Sequence, residues 1–291
     1  MNANPAKLPR LTQARAPLTL AIEALDERGQ TCALSIPAER ALTVYVDKQE
    51  LITLMTLGAH PEWLVLGYLR NQRLIEAVGQ IESITVDWEA GDAGAGVAAI
   101  KTRGPANDWS ERTQKRIVTT GCGQGSLFGC AMQDLADLQL PETRLSQGRL
   151  YKVLEQMRQL ETTYKSAGSV HGCALFDGER LSLFIEDVGR HNAIDTIAGW
   201  LWMQETSAQP SDPLFYTTGR LTSEMVLKAA QMGVPLVVSR SGITQMGFEM
   251  AQSLGLCTVG RAINRHFLCY SGQHRFVSQP NLSPPHIERS A

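Results

Sequence analysis

The chain of 291 residues has almost no excess of either charge: 27 Lys and Arg stand against 29 Asp and Glu, a net of −2. It therefore lacks the global basic field that draws proteins onto nucleic acid. It also lacks long apolar runs. Stretches such as Val234–Val238 are far too short to span a bilayer. The first residues carry Lys7, Arg10 and Arg15 with no apolar stretch, so no signal peptide is expected. The six cysteines (Cys32, Cys122, Cys130, Cys173, Cys257, Cys269) contain no C-x-x-C pair, which argues against a four-sulfur zinc site. Their wide spread is not that of a disulfide scaffold. There is no Walker loop and no internal repeat. What remains is a cytoplasmic protein of a reducing compartment, without membrane or nucleic-acid partners. With 43% hydrophobic and 19% charged residues it can bury a core as one large domain or two modest ones.

The texture changes along the chain. Residues 1–16 and 279–291 mix proline with polar residues and read as tails. Residues 17–105 read as a β-rich N-terminal domain. Leu18–Ala24, Thr31–Ile36, Leu42–Val46, Ile81–Trp88 and Gly96–Thr102 look like strands, with a helix over Pro61–Arg70. Residues 106–143 are irregular and hold the expected domain joint. From 144 to 278 strands alternate with helices. A helical stripe runs from Leu150 to Tyr164, and a hairpin turns at Gly178. Asn192 caps a helix with Asp195 three residues on. Further helices cover Ser223–Met232 and Thr244–Leu254, between strands at Leu214–Thr217, Val234–Ser239, Leu256–Val259 and Phe267–Tyr270. The fold class is therefore mixed α/β, with ligand chemistry expected at strand ends.

Five constellations could carry chemistry. Cys122 lies between Gly121 and Gly123 with Gly125 beyond, accessible and surrounded by backbone N–H dipoles that favour the reactive thiolate. Cys130 follows within reach of the same loop. The other four cysteines sit in apolar, strand-like runs and read as buried structural residues. Glu186-Asp187-Val188-Gly189-Arg190-His191-Asn192 ends a strand before a helix and suits an anion. The alternative is a turn whose Asp and Arg pair with each other. Thr217-Thr218-Gly219-Arg220 and Ser239-Arg240-Ser241-Gly242 repeat that placement, and a capped helix start explains either equally well. Gly260-Arg261-Ala262-Ile263-Asn264-Arg265-His266 is a cationic turn, or merely a solvated hairpin. Arg190, Arg220, Arg240 and Arg261 all follow strands of one layer, which points to an anionic, nucleotide-like ligand.

These residues together resemble the FdhD family, the formate dehydrogenase accessory sulfurtransferases. The likeness runs from about Leu42 to Gly272. It includes Leu42-Thr43-Val44-Tyr45-Val46, Thr56-Leu57-Gly58, Cys122 in its glycine loop and Asp187-Val188-Gly189-Arg190-His191-Asn192-Ala193. Gly219-Arg220, Ser223-Glu224-Met225-Val226, Ala251–Gly260 and Tyr270-Ser271-Gly272 follow in family order. The resemblance implies a cytidine deaminase-like three-layer α/β domain behind the β-rich one, and a homodimer. It implies a sulfur carrier required for formate dehydrogenase activity. Such a carrier takes sulfur from an IscS-type cysteine desulfurase as a persulfide on Cys122. It passes that sulfur to a molybdenum cofactor carrying guanine dinucleotides (Mo-bis-MGD), before insertion into formate dehydrogenase. The cofactor is cargo, held by Arg261, Ala262, Ile263, Asn264, Arg265 and His266 with Arg190 and Arg220, and no metal site of the protein's own is expected. Two features depart from the family. Gly125 stands where many members have a second loop cysteine, so a single cysteine is expected to suffice. Ile263-Asn264-Arg265-His266 replaces the usual Arg-Gly-Gly-Arg.

Three other readings compete. A non-catalytic cofactor chaperone would leave Cys122 incidental. A nucleobase deaminase would need His-x-Glu and Pro-Cys-x-x-Cys around zinc, and neither is expected here. A cysteine hydrolase would use Cys122 with His191 or His171.

Overall fold

The computed structural model describes residues 8–91, 95–104, 138–160, 163–204 and 209–282, with the backbone alone at 117–118 and 125–126. The chain forms two compact units. Unit 1 takes Met1–Asp137, Glu161–Ala174 and Leu183–Gln209; unit 2 takes Leu138–Leu160, Leu175–Ser182 and Pro210–Ala291. The chain thus leaves and re-enters each unit, where the sequence suggests a single joint. Among the described residues, no helix is long and apolar enough to cross a membrane.

Unit 1 begins with β1 (Arg10–Leu11), β2 (Thr19–Leu25), β3 (Thr31–Pro37), β4 (Arg40–Val46), β5 (Gln49–Thr56), α1 (Pro61–Asn71), β6 (Ile81–Asp87) and β7 (Gly96–Thr102). Five of these strands form one sheet in the order β1-β6-β7-β4-β5. Period-two burial makes β4 a half-buried strand: Leu42, Val44 and Val46 point into the core and Tyr45 does not. Strand β5 escapes a reading by pattern because its turn is unusual. Asp47 and Lys48, not glycine, take positive φ of 46° and 73° at the tight hairpin. Asp47 is held there by Thr102, whose N and Oγ1 donate to its carboxylate at 2.9 and 2.5 Å. Residues 10–15 are also part of the unit rather than tail. Strand β1 pairs with β6, and Thr12 Oγ1 and Ala14 N donate to buried Glu62.

Strands β8 (Ile117–Val118) and β9 (Gly125–Ser126) pair antiparallel. Next come β10 (Leu145–Ser146), α2 (Gln147–Gln159), α3 (Thr163–Ala167), β11 (His171–Asp177), β12 (Arg180–Asp187) and α4 (Arg190–Trp202). Helix α4 belongs to unit 1 because it crosses α1 at contact distance. Gly67 and Gly199 make the crossing: a Cβ on Gly67 would strike the carbonyl of Asp195, and one on Gly199 that of Trp63. Asn71 Nδ2 donates to Asp195 at 2.6 Å, which gives a buried carboxylate a partner within the crossing.

Unit 2 is completed by β13 (Pro213–Thr217), α5 (Ser223–Gln231), β14 (Leu236–Ser239), α6 (Gln245–Ser253), β15 (Cys257–Ile263), β16 (His266–Ser271) and β17 (Phe276–Val277). Strands β13 to β16 lie wholly in unit 2, in a sheet of order β12-β11-β13-β14-β15-β16. Strands β13, β14 and β15 run parallel, and β16 returns antiparallel at the edge. Buried on both faces, the parallel strands read as unbroken apolar runs such as Leu214-Phe215-Tyr216 and Leu236-Val237-Val238. The mixed α/β class expected from the sequence is the class observed. Residues 279–282, read as tail, are tied in: Gly148 N donates to Gln279 and Arg265 to the carbonyl of Leu282.

Candidate functional site

The loop of Cys122 lies outside the described residues, as does Cys130. Its flanks are fixed in the backbone, since Val118 pairs with Gly125 and Ile117 with Ser126.

The 186–192 motif builds structure. Asp187 is buried, and its carboxylate accepts four bonds within unit 1. Thr56 Oγ1 (2.5 Å) and Leu57 N (3.3 Å) reach Oδ2, while Gly189 N (3.3 Å) and Asn192 Nδ2 (3.0 Å) reach Oδ1. Asn192 also donates to the carbonyl of Met55 at 2.6 Å. It is therefore not the helix cap that the sequence suggests. Gly189 is the N-cap, and Asn192 lies in the first turn of α4 with its amide spent on tertiary bonds. Glu186 accepts from the free N–H groups of Thr163 and Tyr164 at the start of α3. Burial pushes Asp187 up to about 6, against the pull of its four donors. Arg190 is only 4% exposed and His191 3% exposed, so both point into protein rather than toward solvent. The family match at Thr56-Leu57-Gly58 has the same logic. Thr56 serves Asp187, and Gly58 at φ +77° leaves no room for a Cβ beside the Trp88 ring.

Unit 2 gathers the other motifs at one edge. Thr217 on β13 lies beside Ser239 on β14, and Val238 beside Val259 on β15. Neighbouring strands are about 4.8 Å apart, so the chain emerges three times side by side. Arg220, Arg240 and Arg261 follow these three points, and all are exposed. None has an acidic partner among the described residues. The hydroxyls beneath them do not wait for a ligand. Thr217 Oγ1 accepts from Gly219 N at 3.1 Å, and Ser239 Oγ donates to the carbonyl of Gly219 at 2.7 Å. Backbone bonds lace the loops further: Arg240 N to Thr217 O, Leu221 N to Gly242 O, and Arg261 N to Ser241 O at 2.7 Å. Arg261 takes a left-handed φ of 50° at a break in the β15–β16 register. Gly260 before it is required, because a Cβ there would meet the Tyr270 ring at 2.5 Å and the Ser241 carbonyl at 2.9 Å.

Residues 261–266 are less a turn than the tip of a hairpin. Arg261, Ala262 and Ile263 complete β15, His266 opens β16, and only Asn264 and Arg265 turn. Ala262 is buried, whereas Ile263, Asn264, Arg265 and His266 are exposed. Arg265 lies over the Tyr151 ring, 5.6 Å from its centroid.

Two expectations about other groups need correction. Cys173 and Cys257 are buried as expected, but Cys32 is exposed and Cys269 half-buried. Strand β3 turns Cys32 outward because the β2–β3 ribbon is a separate two-stranded sheet. The letters His60-Pro61-Glu62 do satisfy His-x-Glu, yet Glu62 is spent on Thr12 and Ala14, and His60 stacks on Trp63 at 4.4 Å.

Comparison with known proteins places this geometry. Residues 37–277 match the model of the FdhD/NarQ family. A sulfur carrier protein FdhD from Bacillus subtilis (strain 168) is 32% identical over 239 residues, covering 81% of this chain and 88% of that protein. One of the same name from Listeria innocua is 29% identical over 247 residues, covering 84% and 92%. A crystal structure from Desulfotalea psychrophila, provisionally designated a formate dehydrogenase accessory protein, has a TM-score of 0.69 at 22% identity. It covers 90% of this chain and 100% of that one, a likeness of fold. By the extent of these matches, the chain belongs to the FdhD/NarQ family.

Proposed function

We propose that this chain is a sulfur carrier acting as a sulfurtransferase in formate dehydrogenase maturation. Cys122 thiolate attacks the outer sulfur of a persulfide on an IscS-type cysteine desulfurase, and the desulfurase thiolate leaves. The terminal sulfur of the Cys122 persulfide then becomes a ligand of the molybdenum of Mo-bis-MGD before that cofactor enters formate dehydrogenase: the Cys122 S–S bond breaks, Cys122 thiolate leaves, and the two electrons that reduce the sulfane sulfur come from the reduced molybdenum of the cargo. The glycines around Cys122 give the loop the freedom to serve two partners. The carrier works in the cytoplasm as a homodimer, and in this reading the β13–β16 region follows the cytidine deaminase-like three-layer plan.

The observation that carries the cargo half is the row formed by Arg220, Arg240 and Arg261 at adjacent strand ends of unit 2. Guanidinium forks match phosphate oxygens, and the ends of parallel strands are where such ligands seat. The exposed tip Ile263–His266 extends that edge. Arg190, buried in unit 1, supports the reading less than the exposed three do. Holding cargo and persulfide together turns the transfer into an intramolecular step.

The test replaces Cys122 and Cys130 by alanine separately. Formate dehydrogenase is assayed in cells, and each purified chain is weighed after incubation with desulfurase and cysteine. Cys122→Ala is expected to lose both the activity and the mass gain of about 32 Da that marks a persulfide; Cys130→Ala keeps both. Full activity in Cys122→Ala would overturn the reading. Activity with no sulfur adduct on the unaltered chain would leave a non-catalytic cofactor chaperone.

A further inference from the structure

In the carrier reading, the arginines at the strand ends of unit 2 take the phosphates of a nucleotide cargo, and its base is left without a partner. A base is a flat ring, and an aromatic side chain that shows part of its surface can hold it by stacking. Few rings of unit 2 could serve. Phe176, Phe215 and Tyr216 are buried. Tyr151, Phe267 and Phe276 lie against one another, with Arg265 over the Tyr151 ring. Phe248 sits a turn into α6, behind its cap Thr244. Tyr270 on β16 differs from all of these. It is half-buried, and it has no ring or cation partner among the described residues.

Its ring also stands in the right place. Cε2 lies 2.5 Å, and Cδ2 3.4 Å, from the point a Cβ on Gly260 would occupy, and the Ser241 carbonyl is 2.9 Å from the same point. Gly260 precedes Arg261 and Ser241 follows Arg240, so the ring borders the chain at two of the three arginines. The strand beneath the ring is pinned. Ser271 Oγ donates to the carbonyl of Leu256 at 2.9 Å, and Gln273 Nε2 to the carbonyl of Tyr270 at 3.1 Å. A ring held in advance loses little freedom when a ligand arrives.

We propose that Tyr270 is the stacking platform for a purine base of the cargo, while Arg220, Arg240 and Arg261 hold the phosphates. The platform rests on the cargo half of the carrier reading and gives that site its base-binding residue. Stacking needs only a π-face, so Tyr270 favours a large ring over a small one. It selects purine over pyrimidine and does not by itself tell guanine from adenine. Phosphate and base are then held by different residues. The arginines act on pyrophosphate and on a whole nucleotide alike, and Tyr270 acts on the nucleotide alone.

The test titrates the full chain with GDP, CDP and inorganic pyrophosphate by calorimetry. Tyr270→Ala should weaken GDP binding about tenfold or more and leave pyrophosphate binding unchanged. Tyr270→Phe keeps the π-face and should bind GDP within about twofold of the unaltered chain. The unaltered chain should prefer GDP to CDP, and that preference should close in Tyr270→Ala. Arg220→Ala should weaken GDP and pyrophosphate together. Should Tyr270→Ala not fold, Tyr270→Leu, which keeps bulk without a π-face, takes its place with the same expectation. Unchanged GDP affinity in the folded variant overturns the platform and leaves the arginine row standing. An equal loss of GDP and pyrophosphate binding in that variant also overturns it, because the ring would then only support the edge. An unaltered chain that binds neither GDP nor pyrophosphate overturns the cargo half of the carrier reading, and the platform with it.

Discussion

The chain makes the same strand–glycine–arginine–helix junction twice and uses it in opposite ways. Gly189-Arg190 lies between β12 and α4, and Gly219-Arg220 between β13 and α5. In the first, the glycine is itself the N-cap, so Arg190 is the first helical residue and is 4% exposed. In the second, the cap is Thr222, three residues after the glycine, so Arg220 stays on the loop in water. A shift of three residues in where the helix starts therefore separates a guanidinium that packs from one that can meet a ligand. The neighbouring helix completes the difference: α4 presses on α1 so closely that nearly its whole length is buried.

Three experiments press on this contrast. The largest effect belongs to the crossing. Gly199→Ala drives a Cβ into a backbone carbonyl that cannot step aside, and should cost about 3 kcal/mol or more in chemical unfolding. A variant of normal stability would mean that α1 and α4 do not meet as described. Next come the arginines. Arg190→Ala should cost about 2–3 kcal/mol through lost burial and unpaired neighbours. Arg220→Ala should change stability by less than about 0.5 kcal/mol, while weakening the binding of a guanine nucleotide roughly tenfold. Equal stability losses in the two variants would erase the distinction between the junctions.

The smallest effect is a pH dependence. The folded Asp187 sits at about 6, above the roughly 3.9 of an unfolded aspartate. Between those values the folded chain holds a proton that the unfolded chain has released. Stability from this group is thus fully present below about pH 4 and lost as pH rises through 6, on the order of 2 kcal/mol. Asp177 in unit 2 has the opposite sign. The backbone N–H of Asp212 leads its donors, followed by Arg180 and Ser211, and holds its carboxyl below the usual range. Its contribution is present at neutral pH and lost on acidification. Urea midpoints at pH 4.5 and 7 should show the Asp187 loss in the parent chain and not in Asp187→Asn. Identical pH slopes for the two chains would remove Asp187 as the cause.

Much of the fold is legible because local rules suffice for it. Pro61 starts α1 as an N1 proline should, and Thr244 caps α6 by accepting from Gly247 N at 3.2 Å. The apolar runs of β13 and β14 could only be buried strands. What escaped depends on partners far along the chain. Asp187 reads as a ligand-facing acid until Thr56, 131 residues away, is seen donating to it. Strand β5 is hidden by a turn that Asp47 makes with help from Thr102, 55 residues on.

By itself the amino-acid sequence determined the α/β class, the family and that these arginines each follow a strand, because periodicity, caps and short motifs are read within a few residues. Only the tertiary structure decided that Asp187 and Arg190 are buried and that Arg220, Arg240 and Arg261 share one edge. Burial and proximity are properties of the packed chain. They depend on which segments come to lie side by side, and no local pattern carries that information.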